Sequence, residues 1–452
     1  MLFERVESPG LSHFSYIVGD RREALVVDPR RDFWVYVDLA ARTGHRITLV
    51  LETHRQEDFV LGSSELAHAT GAAVWHADAE LPYGYGEPAA DGRSWKVGKL
   101  SVTAIATPGH TPGSMSYVLR DPSGDPWVVF SGDTLFAGDV GRVDLPGIPR
   151  VREMASLLHE SLFKRILPLG DGVIVCPTHG AGSVCGTAIA DRAWTSIGLE
   201  KRLNPALRHR ERAAFVDAMA RAHERPPYFA KMEELNLAGA PPLPRTPPPL
   251  APKEFEERSR ESVVVDTRSE LAFSSAHVPG SLSIRSASLS SYAGWFVGYD
   301  RPVLLVTEGD DPRESALALA RMGYDRVDGY LGGGMLAWHT AGLPSESVRT
   351  EPVSAICRLL DEGAEVTLLD VRGLDEAESD GRVDRAMQIP LTQLLERVGE
   401  VPLERPIHVF CGSGVRSTTA ASLLARRGVR NVSVVLGGLA GWKSATCPVS
   451  RG

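Results

Sequence analysis

Cysteine is scarce in this chain, with five among 452 residues. They are Cys176, Cys185, Cys357, Cys411 and Cys447, odd in number and widely spaced. That argues against a disulfide scaffold and for reduced thiols, so any cysteine chemistry is expected to be thiol chemistry. Long apolar runs are also missing. Without a stretch of about 18 apolar residues, no membrane span is expected. The opening Met1-Leu2-Phe3-Glu4-Arg5-Val6-Glu7 lacks the basic-then-apolar layout of a signal peptide, so a cytoplasmic location is the default. Basic excess is absent too. A net charge of -8 speaks against a nucleic-acid partner.

The length exceeds one ordinary core, so two to four domains are expected. Short strands and helical stretches alternate up to about residue 235. Then comes Ala238-Gly239-Ala240-Pro241-Pro242-Leu243-Pro244-Arg245-Thr246-Pro247-Pro248-Pro249-Leu250-Ala251-Pro252. Proline at this density favours an extended spacer. Beyond it the chain is duplicated. Val263-Val264-Val265-Asp266-Thr267-Arg268 answers to Thr367-Leu368-Leu369-Asp370-Val371-Arg372, and Tyr330-Leu331-Gly332-Gly333 answers to Val435-Leu436-Gly437-Gly438. Strands alternate with helices in each copy, as in doubly wound α/β domains. The expected domains are 1–237, a linker at 238–252, 253–347 and 348–452.

Four apolar runs in the first domain each stop at a polar loop. Ile47-Thr48-Leu49-Val50-Leu51 leads to His54, and Ala104-Ile105-Ala106 to His110. Trp127-Val128-Val129-Phe130 leads to Asp133, and Val173-Ile174-Val175-Cys176 to His179. Buried strands that deliver imidazoles and a carboxylate to one sheet edge can converge on a metal.

These loops resemble the metal loops of the metallo-β-lactamase superfamily. The carriers are Thr53-His54 with Asp58, Thr107-Pro108-Gly109-His110, Ser131-Gly132-Asp133 and Thr178-His179-Gly180. The resemblance implies an αββα sandwich. The family's first loop reads Thr-His-x-His-x-Asp-His, but Gln56 and Phe59 stand here at two histidine positions. Phe59 cannot donate to a metal, which removes a second ion's anchor. His54, His110 and Asp133 remain, the two-imidazole, one-carboxylate pattern of non-haem Fe(II) oxygenases. The same trio is similar to the iron site of persulfide dioxygenases. That implies mononuclear Fe(II), with zinc as the alternative, and a low-molecular-weight thiol persulfide and O2 as substrates. Asp58 and His179 are expected to orient ligands or contact substrate. Arg142 is expected beside an anionic substrate group or paired with Asp144. Cys185 is expected either at the substrate channel or as a small buried hydrophobe.

In the last copy a β-like run ends at a cysteine, Ile407-His408-Val409-Phe410-Cys411. A loop, Gly412-Ser413-Gly414-Val415-Arg416-Ser417, then leads into a helix. Backbone N–H groups around such a sulfur favour thiolate, and Arg416 can hold an anionic donor. The loop resembles the active-site loop of rhodaneses, implying a Cys411 persulfide and sulfite or thiosulfate as partners. The middle copy has Thr307 at the cysteine position, followed by Glu308, Asp310 and Asp311, and is expected to be catalytically silent. Cys357 and Cys447 are expected to be structural. The functional expectation is persulfide oxidation coupled to sulfane-sulfur transfer. Rivals are a zinc thioester hydrolase of glyoxalase II type and a sulfur carrier or sensor with a decayed metal domain. A homo-oligomer is compatible with either enzymatic reading.

Overall fold

Alternation of side chains along β-strands builds the first half of the chain. In the computed structural model, residues 1–445 and 449–450 are described. Leu2–Ser8, His13–Asp20, Glu23–Val27, Arg46–Leu51, Ala73–His76 and Glu87–Pro88 form one sheet in chain order. A second sheet runs Thr195–Ser196, Ile174–Pro177, Pro126–Gly132, Met115–Arg120, Leu100–Ala106 and Ser94–Val97. Leu25, Val27, Leu49 and Leu51 from the first share a core with Tyr117, Leu119, Val128 and Phe130 from the second. The alternate residues, Ile17, Val26 and Val50, pack outward on Tyr36 and Ala40 of the helix Trp34–Thr43. On the other side Val118, Val129 and Val175 meet Met154 and Leu158 of the helix Val151–Glu160. Period-two patterning thus makes helix, sheet, sheet and helix layers. This is the αββα sandwich expected. Burying each such aliphatic side chain contributes about 1.5–3 kcal/mol.

The second half holds two parallel sheets of five strands. One runs Pro249–Leu250, Val327–Leu331, Val303–Val306, Val263–Asp266 and Leu282–Ser283. The other runs Arg349–Pro352, Val432–Leu436, Ile407–Phe410, Thr367–Asp370 and Met387–Gln388. The strand order is the same in both, so the internal duplication seen in sequence is structural. Each central strand is buried along its whole length, as parallel sheets with helices on both faces require.

By internal packing the chain divides into two units, Met1–Leu243 with Ala320–Gly323, and Pro244–Leu319 with Tyr324–Gly452. The two copies therefore belong to one unit. Phe273 of the first copy shares a cluster with Val348, Ala421 and Val434. Cys176, Cys185 and Cys411 are free thiols, but Cys357 is disulfide-bonded. The expectation of reduced thiols is corrected at that residue. Cys447 lies outside the described residues.

Candidate metal and thiol centres

Asp28 organises the loops at the edge of the sandwich. It ends the strand Glu23–Val27 with a left-handed backbone, φ 47°. Its Oδ1 accepts from the Thr53 N–H at 2.8 Å, and its Oδ2 accepts from the hydroxyls of Thr53 and Thr178, each at 2.7 Å. One carboxylate thereby joins the loops that carry His54 and His179. Burial raises the Asp28 pKa to about 6. Sequence reading missed it, although the run Leu25-Val26-Val27-Asp28 has the same strand-then-acid signature as Val128-Val129-Phe130-Ser131-Gly132-Asp133.

His54, His110 and Asp133 come together with almost no exposure. Asp133 Oδ2 lies 3.8 Å from His54 Nε2 and 3.3 Å from His110 Nε2. The other ring nitrogens fix the tautomers. Thr53 Oγ1 gives its proton to Asp28, so its lone pair faces His54 Nδ1 at 3.0 Å. His110 Nδ1 donates to the Arg142 carbonyl at 2.9 Å. Each imidazole therefore turns a bare Nε2 lone pair inward, and neither Nε2 has a hydrogen-bond partner. Orphaned buried nitrogens aimed at one point are costly unless an ion takes them up, so the donors fit a metal. Burial pushes His54 down to about 3 and lowers His110 as well, keeping both rings neutral, the form that ligates.

His179 is placed differently. Its Nδ1 sits 2.9 and 3.0 Å from the two Asp133 oxygens, and its Nε2 sits 3.0 Å from Asp58 Oδ2. Burial disfavours its charge, but the two carboxylates outweigh that and hold its pKa well above the usual value. His179 thereby braces Asp133, and its Nε2, which has no hydrogen-bond partner, stands with Asp58 and Cys185 in a second group of donor atoms within 4.8 Å of one another. Phe59 is wholly buried, its ring centroid 3.8 Å from that of His13 and 6.0 Å from that of His179. An apolar ring packs beside Asp58 and His179, where two-metal relatives of the fold would bring a third donor. Asn236 pins this loop, accepting from the Leu61 N–H and donating to the carbonyls of Gln56 and Phe59.

Arg142 reaches the cluster through its carbonyl. Its guanidinium forks onto Asp144 at 2.7 and 2.9 Å and donates to the carbonyls of Val184, His223 and Glu224. Of the two expectations for this side chain, the Asp144 pairing is the one formed. Cys185 is fully buried, with Sγ within 4.8 Å of donor atoms of Asp58 and His179, and likewise of His110 and Asp133. Burial and the nearby carboxylates push its thiol pKa up, so it is a neutral thiol against the cluster. Glu57, which sequence reading passed over, also reaches the cluster. Its Oε2 is 3.8 Å from both His54 Nε2 and His110 Nε2. A cleft of about 620 Å³ approaches from this side, lined by Arg55, Glu57, Asp78, Met115, Leu145 and Arg150, among others.

In the last copy the strand Ile407–Phe410 ends at Cys411, which is buried. The Gly414 N–H donates to its Sγ at 3.1 Å, and Ser417 Oγ lies 3.7 Å away. The helix Val415–Arg426 starts beneath the sulfur, its positive end toward it. Gly412, Ser413 and Gly414 complete the turn, and Gly414 adopts φ 124°. Arg416 is forked onto Glu376, both contacts 2.6 Å, and it also shares a hydrogen bond with Tyr292 of the first copy. The guanidinium expected to be able to hold an anionic donor is here paired with Glu376. Asp370 and Arg372 form a buried fork that closes onto the Gly381 carbonyl, and Asp266 and Arg268 repeat it onto Ala276. That motif braces the fold in both copies. In the first copy Thr307 donates to the Gly309 carbonyl, while Asp310 accepts from the Gly333 N–H. A hydroxyl and carboxylates fill the loop that holds sulfur in the other.

Comparison with known proteins agrees. The metallo-beta-lactamase superfamily pattern matches residues 8–179, and the rhodanese-like domain pattern matches 251–341 and 355–445. The chain joins a metallo-beta-lactamase domain to two rhodanese-like domains. Among relatives, the mitochondrial persulfide dioxygenase ETHE1 of Bos taurus is 27% identical over 226 residues, 46% of this chain and 76% of that protein. The hydroxyacylglutathione hydrolase GloC of Haemophilus influenzae is 26% identical over 214 residues, 43% of this chain and 91% of that one. A solved metallo-beta-lactamase structure from Staphylococcus aureus is 29% identical with a TM-score of 0.65. It covers 73% of this chain and 98% of its own. Among the described residues no helix is long and apolar enough to cross a membrane.

Proposed function

We propose that the metallo-beta-lactamase domain oxidises a low-molecular-weight thiol persulfide to sulfite and thiol, and that Cys411 transfers sulfane sulfur. The observation that carries this reading is the pair of orphaned Nε2 lone pairs of His54 and His110 converging with Asp133, while Phe59 occupies the side where a second ion would be anchored. His54, His110 and Asp133 would hold a single iron(II), which would supply the oxygen chemistry when bound, while the protein supplies binding and orientation. Overall, RSSH, O2 and H2O give RSH, sulfite and two protons, with four electrons passing from the sulfane sulfur to oxygen.

The chain's own residues divide the work. His179, between Asp133 and Asp58, holds Asp133 in place. The carbonyl of Arg142 and the hydroxyl of Thr53 keep both imidazoles in the ligating tautomer. Arg55 and Arg150 line the cleft beside Glu57, Asp78 and Glu80, Arg55 paired with Glu233 and Arg150 with Glu153. At the second site the Cys411 thiolate attacks the outer sulfur of a thiol persulfide, the donor S–S bond breaks, its thiol leaves, and Cys411 becomes the persulfide. Sulfite then attacks the terminal sulfur, the S–S bond to Cys411 breaks, and thiosulfate leaves with the thiolate restored. The loop N–H of Gly414 stabilises that thiolate.

Anaerobic loading with iron(II) followed by O2 uptake with a thiol persulfide tests the first step. Turnover is expected, and Asp133→Ala should remove it. Cys411→Ser should abolish thiosulfate formation and leave O2 uptake intact. Similarity to a thioester hydrolase favours a second reading, zinc-dependent hydrolysis. Zinc in the isolated protein, with thioester turnover and no O2 uptake, would establish that reading instead.

A further inference from the structure

We propose that Glu57 is a fourth protein donor to the ion held by His54, His110 and Asp133, which makes the site a two-histidine, two-carboxylate centre. The inference rests on the reading that a metal binds there. Gln56 stands where the family has an imidazole, and its amide does not reach the cluster. Its left-handed backbone, φ 58°, turns the amide back so that one terminal atom lies 3.3 Å from His54 Nδ1 on the far side of that ring, where the amide oxygen, by a flip of the group, accepts from Nδ1–H. The next residue faces inward instead. Glu57 Oε2 is 3.8 Å from each of the two bare Nε2 atoms and has no hydrogen-bond partner, in a side chain with no exposure.

The distances suit a shared ion. Donors bound at about 2.0–2.2 Å stand about 3–3.5 Å apart when adjacent on one metal. The observed separations of Nε2 from the two carboxylates run from 3.3 to 3.8 Å. Glu57, His54 and His110 offer donor atoms that all lie within 4.8 Å of one another. The partner of the second oxygen explains the orientation. Oε1 lies 3.5 Å from Arg55 Nη2, while Arg55 pairs more closely with Glu233 at 3.0 Å. Arg55 thus steers one oxygen and leaves the other for the cluster. An isolated buried carboxylate oxygen beside two lone pairs is unfavourable, and a shared cation removes the conflict.

Two consequences follow for the chemistry. Two carboxylates balance the charge of a divalent ion, and oxygen-rich donor sets favour harder ions. Four protein donors would still leave a six-coordinate ion two positions for outside ligands. Glu57 also lines the 620 Å³ cleft, so it stands on the side from which substrate arrives.

Titration of metal-free full-length protein with cobalt(II) tests this. The readouts are stoichiometry, Kd by chelator competition, and the visible absorption bands, which report coordination number. Wild type should bind one ion, and Asp133→Ala should lose it. Glu57→Gln, isosteric and uncharged, should weaken cobalt at least 10-fold and change the visible bands. Glu57→Asp should keep a wild-type-like spectrum at weaker affinity, which guards against an unfolded variant. Wild-type affinity and unchanged bands in Glu57→Gln would overturn the proposal while the three-residue metal site stands. No cobalt binding by wild type would overturn both.

Discussion

At the level of single residues, the metal pocket is a cluster of groups whose protonation is set by burial and decided by partners. Glu52 shows the cost of that environment. It is fully buried, Tyr85 donates to its Oε1 at 2.7 Å, and burial raises its pKa to about 8. The folded protein therefore keeps a proton that the unfolded chain releases above about 4.5. Its contribution to stability is complete below that pH and is lost as pH rises toward 8. Glu52→Gln should flatten the decline between pH 5 and 8 by up to about 1.4 kcal/mol per pH unit, read by urea denaturation. Asp28→Ala should be harsher. It strands the Thr53 and Thr178 donors, each at a cost of about 1–3 kcal/mol, and should weaken metal binding because both loops lose their common anchor. Chemical denaturation with parallel metal titration would show the two losses together.

At the level of elements, the recurring device is a strand that ends where chemistry begins. The thiol loop depends on a close approach from the next crossover. A Cβ on Gly438 would lie 2.2 Å from the Cys411 carbonyl oxygen, and Gly438 also has φ 49°. Gly438→Ala must therefore push the helix Gly438–Ser444 away from the loop or distort the Cys411 turn. A stability loss of about 1–3 kcal/mol is expected, with sulfurtransfer falling further than stability alone explains. The Leu439 N–H donates to that same carbonyl at 2.8 Å, so the loop also loses a tether. Stopped-assay sulfurtransferase rates beside thermal melts would separate the two effects.

For the whole molecule, two compact units carry the candidate metal site and the candidate thiol site on one chain. Ligation at the first should be visible as stability of that unit. Iron(II) at about 100 times its Kd should add about 2.7 kcal/mol to the first unit's unfolding free energy, and a chelator should remove it. Calorimetry of the intact protein should show the shift in one transition and leave the other where it was. A uniform shift of both would mean the units unfold together. The two rhodanese-like copies, which share Phe273 and Val434 in one cluster, should melt as a single transition.

The chain by itself determined the layered order, the duplication, and the strand ends carrying His54, His110, Asp133 and Cys411. Those features are local, because a period of two, a proline run or a glycine turn is written in neighbouring residues. Only the tertiary structure decided which groups meet. It placed Asp28 between loops carrying Thr53 and Thr178, set His179 between Asp58 and Asp133, engaged Arg142 with Asp144 and Arg416 with Glu376, and turned Glu57 into the pocket. Such pairings depend on how two sheets pack and on one left-handed turn at Gln56, and the physics of packing acts between residues far apart in sequence.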